Sequence, residues 1–222
     1  MEKRKWAMAI IYETPADAMR RLAELGVPME ALQRAVQAGH VARITCTEND
    51  PPQTPGTDAW RYTIRAMRDE LCPRGWRKAD PNNFSLTIND ARKINIVVES
   101  GDALTRQKHG SPRTKSLKGL YVEAATVQNN IEGDLFPETL SGDLRRVASI
   151  LEYHTWIFLI YITDQEYRAE LSLPVAMEGE QITDWSERIF IPDPETLFGS
   201  KTEPEAGETG GPDIDVPVRR KG

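Results

Sequence analysis

The stretch GDALTRQKHGSPRTKSLKG, residues 101–119, sets Arg106, Lys108, His109, Arg113, Lys115 and Lys118 among three glycines and a proline, with Asp102 as its single acid. Lysine and arginine on a glycine-bearing segment suit the capture of phosphates by a loop that orders on contact. Just upstream, Arg61, Arg65 and Arg68 fall four and three residues apart and so share one face of a helix. Residues 61–118 together are therefore expected to meet DNA, RNA or another polyanion. The competing reading is a solvated loop in an arginine-rich chain, which holds 28 Lys and Arg in all.

Other chemistries find weaker support. Asp90, Glu99 and Asp102, with Lys93 or Lys115 as the cation, form the one constellation that suggests a metal-dependent nuclease. Ser100 and Gly101 follow Glu99, however, where a catalytic carboxylate of that type has a lysine two residues on. GSPRTKS (110–116) lacks the second glycine of a phosphate-binding loop, and Pro112 deletes one backbone donor. None of the three histidines stands in a nucleophile signature. Cys46 and Cys72, without CxxC spacing, are expected as two reduced, partly buried thiols. No cofactor and no metal are expected, and binding is favoured over catalysis. LAELGVPMEALQRAV (22–36) has the outline of a helix-turn-helix, but its second helix offers only Gln33, Arg34 and Gln37 as readers, with Glu24 and Glu30 at its entry. A helical hairpin packed on a sheet is the better expectation for it.

Charge is divided unevenly along the chain. Residues 1–120 hold 20 Lys and Arg against 14 Asp and Glu, a balance of +6, whereas residues 121–222 hold 8 against 20, a balance of −12. Such halves either neutralise each other in the fold or present one sign to a partner. An apolar content of 39% is ordinary for a globular chain. The run from Trp6 to Tyr12 is too short for a signal peptide core or a membrane span, so no membrane partner and a cytoplasmic location are expected.

The elements that must position these residues follow from periodicity and punctuation. KWAMAIIY (5–12) reads as a short buried strand, and Thr14, Pro15 and Asp17 open a helix that Gly26 closes. MEALQRAVQA (29–38) restarts a helix with Gly39 as its stop, and VARITCT (41–47) reads as a strand. NDPPQTPGT (49–57) reads as a loop. Trp60, Ile64, Met67 and Leu71 mark one face of a helix over 58–71. FSLTI and KINIVVE read as a hairpin joined through Asn89–Arg92, while 119–128 satisfies helix and strand patterns alike. Leu140, Leu144, Val147, Ile150 and Leu151 mark a further helix, and TWIFLIYI (155–162) a central strand buried on both faces. In YRAELSLPV, alternation turns Tyr167, Ala169, Leu171 and Leu173 inward and Arg168, Glu170 and Ser172 outward, so that Arg168 and Glu170 are expected as a solvent-side ion pair. RIFI (188–191) is a last short strand.

The fold class expected is α+β, a mainly antiparallel sheet of hairpins with packed helices, in one domain over 1–198 with the helical hairpin at about 15–38 as a subdomain. Residues 199–222, with five glycines, three prolines and no aromatic residue, are expected to be a disordered tail. Within the tail, DIDVPV alternates acid and β-branched residues in a way that suits addition to a partner's sheet edge. The function expected is that of an accessory or regulatory protein that binds nucleic acid or another polyanion. A protein-binding adaptor using the acidic second half or the tail is the alternative, and the metal-dependent nuclease the third reading.

Overall fold

A computed structural model of the chain describes residues 8–115, 119–130 and 141–193. Lys118, Leu140 and the segment 199–222 lie outside the described residues. Among those described, five α-helices pack on a seven-stranded mixed sheet of order β1-β7-β6-β5-β4-β3-β2. The strands are β1 (Ile10–Tyr12), β2 (Arg77–Ala79), β3 (Leu86–Asn89), β4 (Ile94–Ser100), β5 (His154–Ile162), β6 (Tyr167–Glu178) and β7 (Gln181–Ile191). The helices are α1 (Pro15–Leu25), α2 (Met29–Ile44), α3 (Thr54–Leu71), α4 (Leu120–Asn129) and α5 (Gly142–Leu151). The α+β class stands, but the sheet is mixed. Its hairpins are antiparallel, whereas β4 with β5 and β1 with β7 run parallel. A parallel pair needs a long crossover, and the loop with α4 and α5 supplies the one between β4 and β5.

Both faces of the sheet are covered. On one, α1, α2 and α3 bury Leu22, Leu32, Met67 and Leu71 against Ile96, Phe158 and Leu171. On the other, α4 and α5 bury Val122, Ala125, Val147 and Leu151 against Val97, Ile157 and Leu159. The near-continuous apolar run of β5 is what a strand buried on both faces requires, and β5 lies at the centre of the sheet.

Local signals place several boundaries where expected. Thr14 caps α1 by accepting the Asp17 N–H, and Gly26 ends it at φ 71°, a left-handed conformation that suits glycine. Gly39 is the main departure. It does not stop α2, which runs on to Ile44, so that the strand expected over 41–47 is helix instead. Gly39 is needed as the point of closest approach to α3. A β-carbon there would stand 2.1 Å from Thr63 Oγ1 and 2.6 Å from the Ala59 carbonyl oxygen. Helix α3 begins at Thr54, inside the expected loop. The ambiguous stretch 119–128 is helix, and RIFI is the end of a longer strand, β7. The strand expected to be buried at 5–12 is described only as β1, a three-residue edge strand whose Ile10 is exposed.

Candidate functional site

The basic segment 101–115 is already folded before any ligand arrives. Its ends close through a bridge between Gly101 and Thr114, with the Asp102 N–H donating to the Arg113 carbonyl at 2.9 Å and the Lys115 N–H to that of Ser100 at 2.8 Å. Thr105, Pro112 and Thr114 are buried under it. The loop lies on the face of the sheet that carries Trp185 and Arg188. Trp185 Nε1 donates to the Pro112 carbonyl at 3.1 Å and Arg188 Nη1 to that of Gly110 at 3.0 Å.

Beneath the loop sits a buried ion pair. Arg188 on β7 donates from Nε to Glu170 Oε1 at 2.9 Å and from Nη2 to Oε2 at 2.7 Å, with side-chain exposures of 2% and 0%. Ser172 Oγ and the Arg106 backbone N–H complete the carboxylate's partners, at 2.8 and 2.6 Å. The outward, solvent-side pairing expected of Arg168 and Glu170 is therefore corrected. The alternation of β6 is real, but the face it turns away from the first core is roofed by the loop, and Glu170 pairs across the sheet with Arg188. Arg168 instead pairs with Glu166 at 3.3 Å, donates to the Ala103 carbonyl and lies over the Tyr161 ring. Neither Arg188 nor its role carried a sequence signal beyond a charge at the head of the apolar run RIFI.

The other expected contact residues divide into two groups. Arg61, Arg65 and Arg68 lie on α3, on the opposite face of the sheet from the loop, and line a groove of about 550 Å³ with Trp60, Lys78 and Asp69. Arg61 pairs with Asp58 at 3.0 Å and Arg65 with Asp69 at 3.8 Å, both in solvent. Arg68 is committed to structure, since it donates to Asp80 at 2.8 Å and to the Leu86 carbonyl at 3.0 Å. That bond to Arg68 holds the Asp80 carboxyl below its ordinary range. The Trp60 indole N–H donates to the Val98 carbonyl at 2.9 Å, which fixes its ring at the groove.

In the loop, Lys108 pairs with Glu13 at 2.7 Å and Arg106 with Asp193. Lys115 lies 5.5 Å from the centre of the Tyr161 ring, and Arg113 is exposed. Arg21 with Glu187, Arg43 with Asp164 and Arg106 with Asp193 join the basic first half to the acidic second half, so part of the charge asymmetry closes within the fold. Asp90, Glu99 and Asp102 are not gathered. Asp90 binds Arg77 at the hairpin turn, whereas Asp102 accepts the Leu104 N–H beyond the other end of β4. Seven residues of strand separate the two ends, about 20 Å. Among the described residues no group of three or more His, Cys, Asp or Glu is placed to hold a metal ion.

Helix α2 packs one face against the sheet and α3 and leaves the other exposed. Gln33 is buried, its amide donating to the Pro192 carbonyl at 2.7 Å, so it reads no base edge, whereas Arg34, bound to Glu70 by two hydrogen bonds, and Gln37 are exposed. Cys46 and Cys72 are half-buried free thiols. Among the described residues no helix is long and apolar enough to cross a membrane. Comparison with protein-family models, curated proteins and solved structures finds no match for this chain.

Proposed function

We propose that the protein binds a phosphate-bearing polymer, DNA or RNA, along the outer side of α3. The observation that carries this reading is the groove in which Arg61, Arg65, Arg68 and Lys78 converge beside Trp60, with Asp69 as the acid among its lining residues. Arg61 is held by Asp58 one turn away and by the Tyr62 ring, 4.9 Å from its guanidinium carbon, and Arg65 by Asp69 one turn away. Such pairs are worth about 0.3–0.5 kcal/mol, so exchange of a carboxylate for a phosphate costs little. Arg68, anchored to Asp80, forms the wall rather than a mobile contact. An aromatic ring beside a row of cations suits a single strand, whose bases stack on the ring while the backbone follows the charges. The exposed loop cations Arg113 and Lys115, anchored on the other face of the sheet, are an extension of the footprint only if the polymer wraps the sheet end.

The test is a titration of labelled single-stranded DNA and RNA at two salt concentrations. Three contributing cations give a slope of log affinity against log salt of about −2. The variant Arg61→Ala/Arg65→Ala/Lys78→Ala should lose most of it with its fold intact, and Arg113→Ala/Lys115→Ala shows whether the loop takes part. No binding at low salt, or a triple variant equal to wild type, refutes the polymer reading. A protein-adaptor reading then stands in its place, and Val41 and Ile44, 49% and 50% exposed, point it to α2 rather than to the acidic second half or the tail.

A further inference from the structure

At the end of the sheet a second cleft, of about 590 Å³, opens between α2, the turn from β5 to β6, the basic loop and Asp193. That volume is within the range of small-molecule sites. Three features converge on it, two of them properties of one residue. The first is Arg106, a non-glycine residue held at φ 57°. Strain of this kind, about 1–3 kcal/mol, persists only where surrounding structure enforces it. Here the enforcing contact is its N–H bond to the buried Glu170 carboxylate, itself clamped by Arg188. The ion pair beneath the loop thus aims the Arg106 guanidinium into the cleft.

The second feature is what that guanidinium does there. Its Nη1 and Nη2 chelate the two oxygens of Asp193 at 2.8 and 3.2 Å, the fork geometry that recognises a carboxylate or phosphate. The third is a pair of buried nitrogens, His40 Nε2 and Arg168 Nε, with no hydrogen-bond partner among the described residues. Both residues line the cleft, and the His40 ring packs at 5.0 Å from that of Tyr167. Neither nitrogen is open to solvent, so the pair marks an unsatisfied wall of the cleft rather than donors a ligand meets directly. With Asp193 swung aside, the lining carries Arg106 and Arg168 against Glu166 alone, an excess of positive charge.

We infer that this cleft binds a small molecule through a carboxylate or phosphate-monoester head chelated by Arg106, and that the Asp193 side chain occupies the same position as a tethered competitor. The two chemistries share one recognition geometry, and the probes separate them.

Isothermal titration at constant ionic strength with citrate, inorganic phosphate and AMP tests the inference. Wild type should show one saturable site for at least one probe. Citrate alone identifies a carboxylate ligand, and phosphate or AMP a phosphate ligand. Asp193→Asn weakens the competitor and should tighten binding about 3- to 10-fold. Arg106→Asn, chosen because asparagine tolerates the left-handed conformation, should weaken it at least tenfold. The Arg61/Arg65/Lys78 variant should bind the probes as wild type does, which separates this cleft from the α3 groove. No saturable binding by wild type and Asp193→Asn up to about 10 mM of each probe, or equal affinity in Arg106→Asn, overturns the inference.

Discussion

Replacement of Glu170 by alanine should be among the most damaging single changes in this protein. The deletion leaves the Arg188 guanidinium, 2% exposed, without its carboxylate and without access to water. Loss of one partner of a buried pair costs about 3–5 kcal/mol. Ser172 Oγ and the Arg106 N–H lose their acceptor at the same time. With a urea dependence of about 2–3 kcal/mol per molar, the midpoint should fall by roughly 1–2 M. The double variant Glu170→Leu/Arg188→Met removes both charges and should cost less than the two single changes combined. What remains is the Gly110 carbonyl, the Arg106 N–H and the Ser172 hydroxyl without these partners, with the weaker contact to the Leu104 carbonyl also lost, about 1–3 kcal/mol for each group that water does not reach. Equilibrium unfolding of wild type, Glu170→Leu, Arg188→Met and the double gives the coupling energy, expected to exceed about 2 kcal/mol. Hydrogen exchange at the Asp102 and Lys115 amides, which close the loop, should accelerate in Glu170→Ala. A single-variant cost under about 1 kcal/mol, or a coupling near zero, refutes the assignment of the pair as the loop's foundation.

Gly39→Ala should destabilise by about 1–3 kcal/mol, because the new carbon meets the Ala59 carbonyl oxygen at 2.6 Å and forces α2 from α3. A thermal midpoint equal to that of wild type counts against this packing. On the acid side, Glu70 and Asp80 are both held below their ordinary carboxyl pKa, chiefly by hydrogen bonds from Arg34 and Arg68. Depressed folded values mean that their contribution is complete above about pH 4–5 and is lost as pH falls through the folded values. Arg34→Ala should therefore flatten the stability profile below about pH 4 while changing its shape little near neutrality, and an unchanged acid limb in urea unfolding would contradict it.

How far the sequence alone reached depends on whether the deciding contact was local. The α1 boundaries were legible because Thr14 and Gly26 act within one turn, and the helical face of Ile64, Met67 and Leu71 because burial repeats at the helical period. The β3–β4 hairpin and the central place of β5 followed from punctuation and from an apolar run long enough to need cover on both faces. Gly39 was misread because the local rule sees a helix breaker, whereas the choice was made by a neighbouring helix whose Thr63 lies 24 positions away. The basic residues were visible as a composition, but partners in space decided what each one does. Glu170 and Arg188 lie on adjacent strands under a roof supplied from residues 101–115, so no spacing rule could mark them as buried. The same roof turns Arg106 toward Asp193, 87 positions on, while the sheet sets the α3 arginines on its other face. Charge and periodicity are properties of neighbours along the chain. Burial and pairing across a mixed sheet depend on which distant segments arrive together, and that information exists only in the folded molecule.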